Sequence, residues 1–134
     1  MEKRFELNAS SEVLSPFRKE LRQILSQAGW EKKTTEEILL AVDEALTNII
    51  RHAYQRKPGR MTVSVTAADD KIEIVLEDRG KKFDPTQVPS PELPRHKPGG
   101  LGIHFIRTIM DQMIYDSGCL EGNRLRLIKH KTKI

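Results

Sequence analysis

Residues 61–80 read MTVSVTAADDKIEIVLEDRG, and apolar and polar side chains alternate through both halves of this stretch. Alternation with a period of two is typical of β-strands that bury one face. The Asp69-Asp70 pair between the two runs predicts a tight turn, so the strands should form a hairpin. The side chains expected to share its apolar face are Met61, Val63, Val65 and Ala67 in the first run, and Ile72, Ile74 and Leu76 in the second.

A helical pattern lies upstream of this hairpin. It begins at a cap formed by Ser10 or Ser11 and runs to about Ala28, where Gly29 ends it. Its apolar side chains recur with helical spacing at Leu14, Phe17, Leu21, Ile24 and Ala28. The spacing predicts an amphipathic helix with one buried stripe.

Two further helices and a long loop are expected. The second helix starts at Thr34 and Thr35, which precede two glutamates, and continues to about Tyr54. Residues 84–98 hold five of the seven prolines and read as a loop. The third helix covers about 101–113, where apolar residues again recur with helical spacing.

The remaining segments read as strands, at residues 2–8, near 113–117 and at 124–130. Hairpin strands with helices gathered on one face indicate an α+β two-layer sandwich. The chain of 134 residues contains no repeat, low-complexity tract or linker, so one domain over 1–134 is expected.

Composition excludes several classes of protein. Apolar residues make up 37% of the chain, charged residues make up 31%, and no apolar run approaches the roughly 20 residues that span a bilayer. Residues 1–7 alternate like a strand and lack the apolar core of a signal peptide. Cys119 is the only cysteine, so no internal disulfide can form and a reducing cytoplasm fits. A buried or neutral thiol is favoured over a nucleophile at this position.

The net charge of +4 raises the alternative of a nucleic-acid binder. Basic and acidic residues are interspersed, however, and the chain has seven aromatic residues in total. Nucleic-acid modules usually concentrate basic charge on one face and add aromatic side chains for stacking. A solvated surface of mixed charge is the better interpretation, with part of the excess available to a polyphosphate or an acidic protein.

Glu44 and Asn48 form the first candidate site. Residues four apart on a helix point in nearly the same direction. A carboxylate and a carboxamide so placed can hold a hydrated Mg²⁺ and orient a nucleophile. The alternative is that both side chains belong to a solvated helix face, although Asn is a poor residue for a helix interior.

Asp78 is the second candidate. It shares the parity of Ile72, Ile74 and Leu76, so its carboxylate should point to the inner face and needs a donor there. The exocyclic amine of adenine is one donor, and a capped turn is the alternative. Gly80 leaves room for a flat ring beside the backbone. Asn123 shares parity with the apolar residues of the last strand and is expected to face the same pocket.

The third candidate is Gly99-Gly100-Leu101-Gly102, which precedes the last helix. Glycines at a helix start expose N–H groups where the aligned peptide dipoles place partial positive charge, an arrangement that suits phosphates. Arg95 and Lys97 precede it, in a loop that is able to close over a triphosphate. A simple connector and a solvated loop are the alternatives.

The ordered set EALTNIIRHAY, DRGKKFD and GGLGIHFI resembles the N, G1 and G2 boxes of the GHKL ATPase superfamily. Within it, the chain is similar to the anti-sigma-factor serine/threonine kinases over nearly its whole length. The resemblance implies a Bergerat-type α/β sandwich with a mixed sheet and about three helices on one face. It also implies ATP and Mg²⁺ as cofactors, bound without a Walker P-loop.

The resemblance implies roles for individual residues. Glu44 would be the general base that takes the proton of a serine or threonine hydroxyl, and Asn48 would ligate Mg²⁺. Asp78 would bind the adenine amine with Gly80 beside the ring. The phosphates would be wrapped by Gly99, Gly100, Leu101 and Gly102, with Arg95 and Lys97 nearby.

Two positions depart from the family pattern. Lys82 replaces the second glycine of the D-x-G-x-G turn, which implies a stiffer loop or an ammonium near phosphate. Asn123 stands where many relatives have threonine, so the hydrogen bonds around adenine are expected to differ. Asp78 and Gly80 remain, so adenine binding is expected to persist.

The function implied is an ATP-dependent serine/threonine protein kinase that acts as an anti-sigma factor. Its partners would be a sigma factor and a STAS-type anti-anti-sigma protein that it phosphorylates. A homodimer is compatible, and neither nucleic acid nor membrane is expected. The alternatives are an ATP-binding module that sequesters a partner without transferring phosphate, and the catalytic domain of a sensor histidine kinase. The latter is disfavoured because no dimerisation helix with a phosphoacceptor histidine precedes the site, and a packing or capping role is expected for His52.

Overall fold

The computed structural model describes residues 1–88, 101–116 and 121–131. The strands are β1 (Glu2–Asn8), β2 (Arg60–Ala67), β3 (Lys71–Asp78), β4 (Gln112–Asp116) and β5 (Asn123–His130). The α-helices are α1 (Leu14–Gln27), α2 (Lys32–Asn48) and α3 (Leu101–Ile109). Short helical turns occupy Ser11–Val13 before α1, Ile49–Ala53 after α2 and Pro85–Gln87 after β3. The predicted order of strands and helices is confirmed.

The five strands form one sheet in the order β1-β2-β3-β5-β4. Every ladder among the described residues is antiparallel, so the expectation of a mixed sheet was wrong. The reason lies in the connections. A tight turn joins β2 to β3, and the two helices between β1 and β2 return the chain to the end of the sheet at which β1 stops. Neighbouring strands therefore run in opposite directions.

The core lies between the three helices and one face of the sheet. On that face Met61, Val63, Ile72, Ile74 and Leu76 are completely buried, as their alternation predicts. Helix α1 buries the predicted stripe through Phe17, Leu21 and Ile24, and α2 buries Ile38, Val42 and Ala45. Burial of these apolar faces is the main force that joins the two layers.

Asp78 closes the inner row of β3, where it pairs with Met61 on one side and with Asn123 on the other. These two polar residues are 6% and 7% exposed. The strand parity therefore places both polar side chains at one end of the buried face.

The ends of the first helix agree with the prediction. The Ser10 hydroxyl accepts a hydrogen bond from the N–H of Glu12 at 3.4 Å, and Gly29 has a φ of +86°. A left-handed residue of this kind is a common helix stop. The Lys131 ammonium also donates to the carbonyl of Ala28 at 2.5 Å, so the sheet end contributes to the cap.

Two predicted helix ends were wrong. Helix α2 begins at Lys32 rather than at Thr34, and its N-cap is Glu31, whose backbone is extended. Helix α3 ends at Ile109 rather than near residue 113, because the chain is drawn into the sheet there. The N–H of Asp111 donates to Ile128 at 2.8 Å, and its carboxylate accepts from the N–H of His130 at 2.6 Å.

Candidate functional site

A pocket of about 360 Å³, including its mouth, lies between the end of α2 and the last residues of the inner sheet face. The lining comprises Ala45, Asn48, Ile49, Ala53, Leu76, Asp78, Phe83, Pro85, Tyr115, Asn123 and Leu125. A mostly apolar wall with a few polar groups at one end suits a flat heteroaromatic ring.

Asp78 supplies the carboxylate of this pocket. Its Oδ1 accepts two hydrogen bonds of 2.9 Å, one from the N–H of Gly80 and one from the side-chain amide of Asn123. Within the described ranges, no hydrogen bond to Oδ2 is found, so this oxygen remains an acceptor. Burial raises the pKa of Asp78, while the bonds from Asn123 and Gly80 and the charge of Lys82 lower it. The predicted inward position of Asp78 occurs, and so does the turn bond that was the alternative to a nucleotide partner.

Asn123 is bonded to protein groups on every side. Its amide nitrogen donates to Asp78 Oδ1 and to the carbonyl of Lys81, each at 2.9 Å. Its Oδ1 accepts from the N–H of Phe83 at 2.8 Å and from the hydroxyl of Tyr115 at 2.6 Å. Two donors and two acceptor sites exhaust what a carboxamide offers. Asn123 reaches the pocket as predicted, but its side chain holds other residues in place.

The Asp78-Arg79-Gly80 turn lies directly against the end of α2. A Cβ at Gly80 would come within 2.5 Å of the carbonyl oxygen of Ala53, so only glycine fits. The same carbonyl accepts a hydrogen bond from the N–H of Lys81 at 2.7 Å. It is available because the helix ends in a π-helical turn at Ile49–Ala53. Gly80 therefore allows the close approach of helix and turn.

Tyr54 is a site residue that the sequence did not distinguish. Its hydroxyl donates to the carbonyl of Arg60 at 2.6 Å and accepts from the N–H of Arg79 at 2.9 Å. It joins the helix end, the start of β2 and the turn after β3. Gly122, with a φ of +74°, lies so close to the backbone of Asp78 and Arg79 that no side chain would fit. In the sequence, Tyr54 was the last residue of the EALTNIIRHAY motif and Gly122 preceded the last strand, and neither position indicated these contacts.

Glu44 lies on α2 beside the first turn of α3. A Cβ at Gly102 would overlap Oε2 of Glu44, so the glycine makes room for the carboxylate. Burial raises the pKa of Glu44, the neighbouring Asp43 raises it further, and Arg51 lowers it. A carboxylate with a raised pKa is a stronger proton acceptor once ionised. The sequence predicted Glu44 and Gly102 in separate motifs, and the fold brings them into contact.

Asn48 lies one turn beyond Glu44 and lines the pocket. Its Nδ2 is buried, and no acceptor for it occurs in the described part of the chain. An unsatisfied buried donor is costly, and a bound phosphate oxygen would satisfy it. The described residues contain no group of three or more His, Cys, Asp or Glu able to hold a metal. The carboxamide oxygen of Asn48 fits Mg²⁺, because this ion commonly takes one or two protein oxygens and completes its shell with phosphates and water.

Phe83 forms part of the pocket wall, and the exposed ring of His52 stacks on it. Their rings are stacked with centroids 4.5 Å apart and planes inclined by 18°. Burial lowers the pKa of His52, with Arg51 contributing. This agrees with the packing role that was expected for His52. Behind this wall, Arg107 of α3 donates to the carbonyl of Thr86 at 2.8 Å and fixes the Pro85–Gln87 turn.

Several predicted residues cannot be placed. Arg95, Lys97, Gly99 and Gly100 lie outside the described residues, as does Cys119. Leu101 begins α3, and the charge of Lys82 acts on Asp78. None of the described helices is long and apolar enough to cross a membrane.

The class of protein follows from comparison with known families. The family model for the histidine kinase-like ATPase domain matches residues 7–129. The solved structure of the RsbU and RsbW domains of Rv1364c from Mycobacterium tuberculosis has the same fold, with a TM-score of 0.68 at 17% identity. The match covers 96% of this chain and 32% of the chain in that structure. The predicted sandwich is thereby confirmed.

Curated relatives narrow the class. The serine-protein kinase RsbW of Listeria innocua serovar 6a is 34% identical over 125 residues, which make up 84% of this chain and 79% of the relative. The serine-protein kinase RsbW of Staphylococcus epidermidis is 31% identical over 134 residues, 92% of this chain and 84% of the relative. The chain therefore belongs to the RsbW family of serine-protein kinases, within the histidine kinase-like ATPase domains. The resemblance to anti-sigma-factor kinases is confirmed.

Proposed function

We propose that this chain is an ATP-dependent serine/threonine kinase that acts as an anti-sigma factor and phosphorylates a STAS-type anti-anti-sigma protein. The observation that carries the proposal is the contact between Glu44 and Gly102. It places a carboxylate of raised pKa at the start of α3, one helical turn from the unsatisfied amide of Asn48. Names of the relatives support the kinase activity.

Each group has a stated role in this proposal. Asp78 Oδ2 accepts a hydrogen bond from the adenine amine, and the apolar wall packs on the ring. Asn48 and the phosphates hold Mg²⁺, which neutralises charge and orients the phosphates when bound. Glu44 orients the serine or threonine hydroxyl and accepts its proton. A base in this role typically contributes about 10²–10⁴-fold in rate.

The transfer step balances without a further reactant. The substrate oxygen bonds to the γ-phosphorus of ATP while the bond from that phosphorus to its bridging oxygen breaks. The electron pair leaves with ADP, and the hydroxyl proton passes to the Glu44 carboxylate. Positioning and electrostatic stabilisation supply most of the catalysis in reactions of this class.

The partners and the location are proposed from the similarity to the RsbW kinases. We expect a sigma factor as the sequestered partner, a homodimer as the assembly and the cytoplasm as the location. Phosphorylation of the STAS protein would add roughly two negative charges and weaken its binding, which frees the kinase for the sigma factor. We expect neither nucleic acid nor a membrane to take part in this function.

The test is transfer of labelled phosphate from ATP to purified STAS proteins. Wild type should label one of them, and Glu44→Gln should lower the rate by about 10²-fold or more. Glu37→Gln is the matched control, because Glu37 is an exposed carboxylate two turns earlier on α2. Nucleotide binding by wild type without any transfer would instead establish the non-catalytic binding module.

A further inference from the structure

The carboxamide of Asn123 connects Tyr115 to Asp78. Tyr115 on β4 donates its hydroxyl to Asn123 Oδ1, and Asn123 on β5 donates its amide to Asp78 Oδ1 on β3. Three neighbouring strands thus contribute one hydrogen-bonded chain that ends at the pocket carboxylate. The distances along it are 2.6 Å and 2.9 Å.

This series of hydrogen bonds fixes the orientation of the Asp78 carboxylate. The last side-chain torsion of an aspartate is broad and nearly two-fold, so a free carboxylate samples many orientations. Two hydrogen bonds to the same oxygen, from Asn123 and from Gly80, select one of them. The other oxygen is then left for a ligand.

Asn123 itself has no capacity left for a nucleotide. Its four hydrogen-bonding positions go to Asp78, Lys81, Phe83 and Tyr115. A direct bond from its amide to a base would first have to break one of these bonds. The bonds to Lys81 and Phe83 also hold the turn whose phenyl ring lines the pocket.

We infer that Asn123 and Tyr115 are positioning residues that set the nucleobase selectivity of the pocket through Asp78, without touching the base. This inference rests on the proposed function, since it assumes an adenine nucleotide. The hydroxyl of Tyr115 is the remote element of the device. Together with the N–H of Phe83, it donates to Oδ1 of Asn123, and these two bonds direct the amide donors to Asp78 and Lys81.

The first variant is Tyr115→Phe, which removes the hydroxyl and keeps the ring in the wall. The Kd for Mg-ATP should rise about fivefold, the typical effect of one internal hydrogen bond. The Kd for Mg-GTP should stay within a factor of two, so the ratio that measures adenine preference falls by about the same fivefold.

The second variant is Asn123→Asp, which replaces the amide donor with a carboxylate facing Asp78. The Kd for Mg-ATP should rise by about 30-fold or more, since a donor to a charged group is lost and a like charge is added. Val65→Ala is the stability control. Val65 is completely buried on β2 and is not part of the pocket lining. It should lower the melting temperature and leave the ATP-to-GTP ratio unchanged.

The outcomes separate the inference from the proposed function. The inference would be overturned if Tyr115→Phe had the same ratio of Kd values for Mg-ATP and Mg-GTP as wild type, whether both affinities stay unchanged or both fall equally. Those results leave the kinase activity standing if wild type transfers phosphate. Absence of nucleotide binding by wild type would overturn both.

Discussion

The carboxylate of Glu44 on α2 occupies the space beside Gly102 on α3 that a Cβ at this position would need. The two residues come from motifs 58 positions apart in the chain. Their contact places the proposed base where the third helix begins, and it depends on the glycine in the first turn of that helix.

The first prediction concerns Gly102→Ala. The new methyl group would overlap Oε2 of Glu44 and displace the carboxylate. We expect the turnover number to fall by about 10²-fold, the lower end of what a positioned base contributes. Steady-state phosphoryl transfer measures it. Thr108→Ala in the exposed part of the same helix is the control, and a wild-type turnover number in Gly102→Ala would contradict the positioning role.

The second prediction concerns the stability contribution of Asp78. Burial is the main cause that raises its pKa above the ordinary value of an aspartate. The ionised form is therefore less favourable in the folded state than in the unfolded state, and the cost appears as pH rises through this range. We expect Asp78→Asn to melt at a temperature equal to or above that of wild type at pH 7.

The same comparison at low pH provides the control. Near pH 3.5 the carboxyl group of Asp78 is protonated in most folded molecules, because its pKa is raised. The advantage of Asp78→Asn should therefore shrink. Thermal melts at both pH values measure the difference. A variant that melts well below wild type at pH 7 would show that the ionised carboxylate stabilises the fold.

The third prediction concerns the pH dependence of transfer. The pKa of Glu44 is raised by burial first and by Asp43 second. A base must be deprotonated, so the turnover number should fall as pH decreases through a pKa above 4.5. Asp43→Asn should move this acidic limb to lower pH, and Arg51→Gln should move it to higher pH. Identical limbs in wild type and both variants would assign the titration to another group.

The fourth prediction concerns Tyr54→Phe. The lost hydroxyl bridges the carbonyl of Arg60 and the N–H of Arg79. We expect the free energy of unfolding to fall by about 1–2 kcal/mol, because two ordinary hydrogen bonds are lost. Urea denaturation measures it. Tyr115→Phe is the matched comparison, since that change removes a hydroxyl from the other side of the pocket. A loss below ~0.3 kcal/mol in Tyr54→Phe would show that water replaces the hydroxyl.

Much of the site followed from local pattern. Strand parity placed Asp78 and Asn123 on the inner face, because the side-chain period of a strand is two. Helical spacing put Glu44 and Asn48 on one flank of α2. These relations are set by backbone geometry alone, so a sequence contains them.

Other features depend on contacts between distant segments. The partners of Asn123 lie up to 45 residues away along the chain, and no periodicity specifies them. The role of Tyr54 requires that the turn after β3 reach the helix end. The early end of α3 results from the pairing of Met113 with Leu127 in the sheet. Tertiary hydrogen bonding decided each of these against local preference.

The central claim is that α2, the end of β3 and the start of α3 surround one adenosine polyphosphate. Calorimetric titration of the purified protein with Mg-ATP, Mg-ADP and Mg-GTP tests it most directly. The account predicts one site that prefers the adenine nucleotides, and a loss of that preference in Asp78→Ala. Failure of wild type to bind any of the three nucleotides would contradict it.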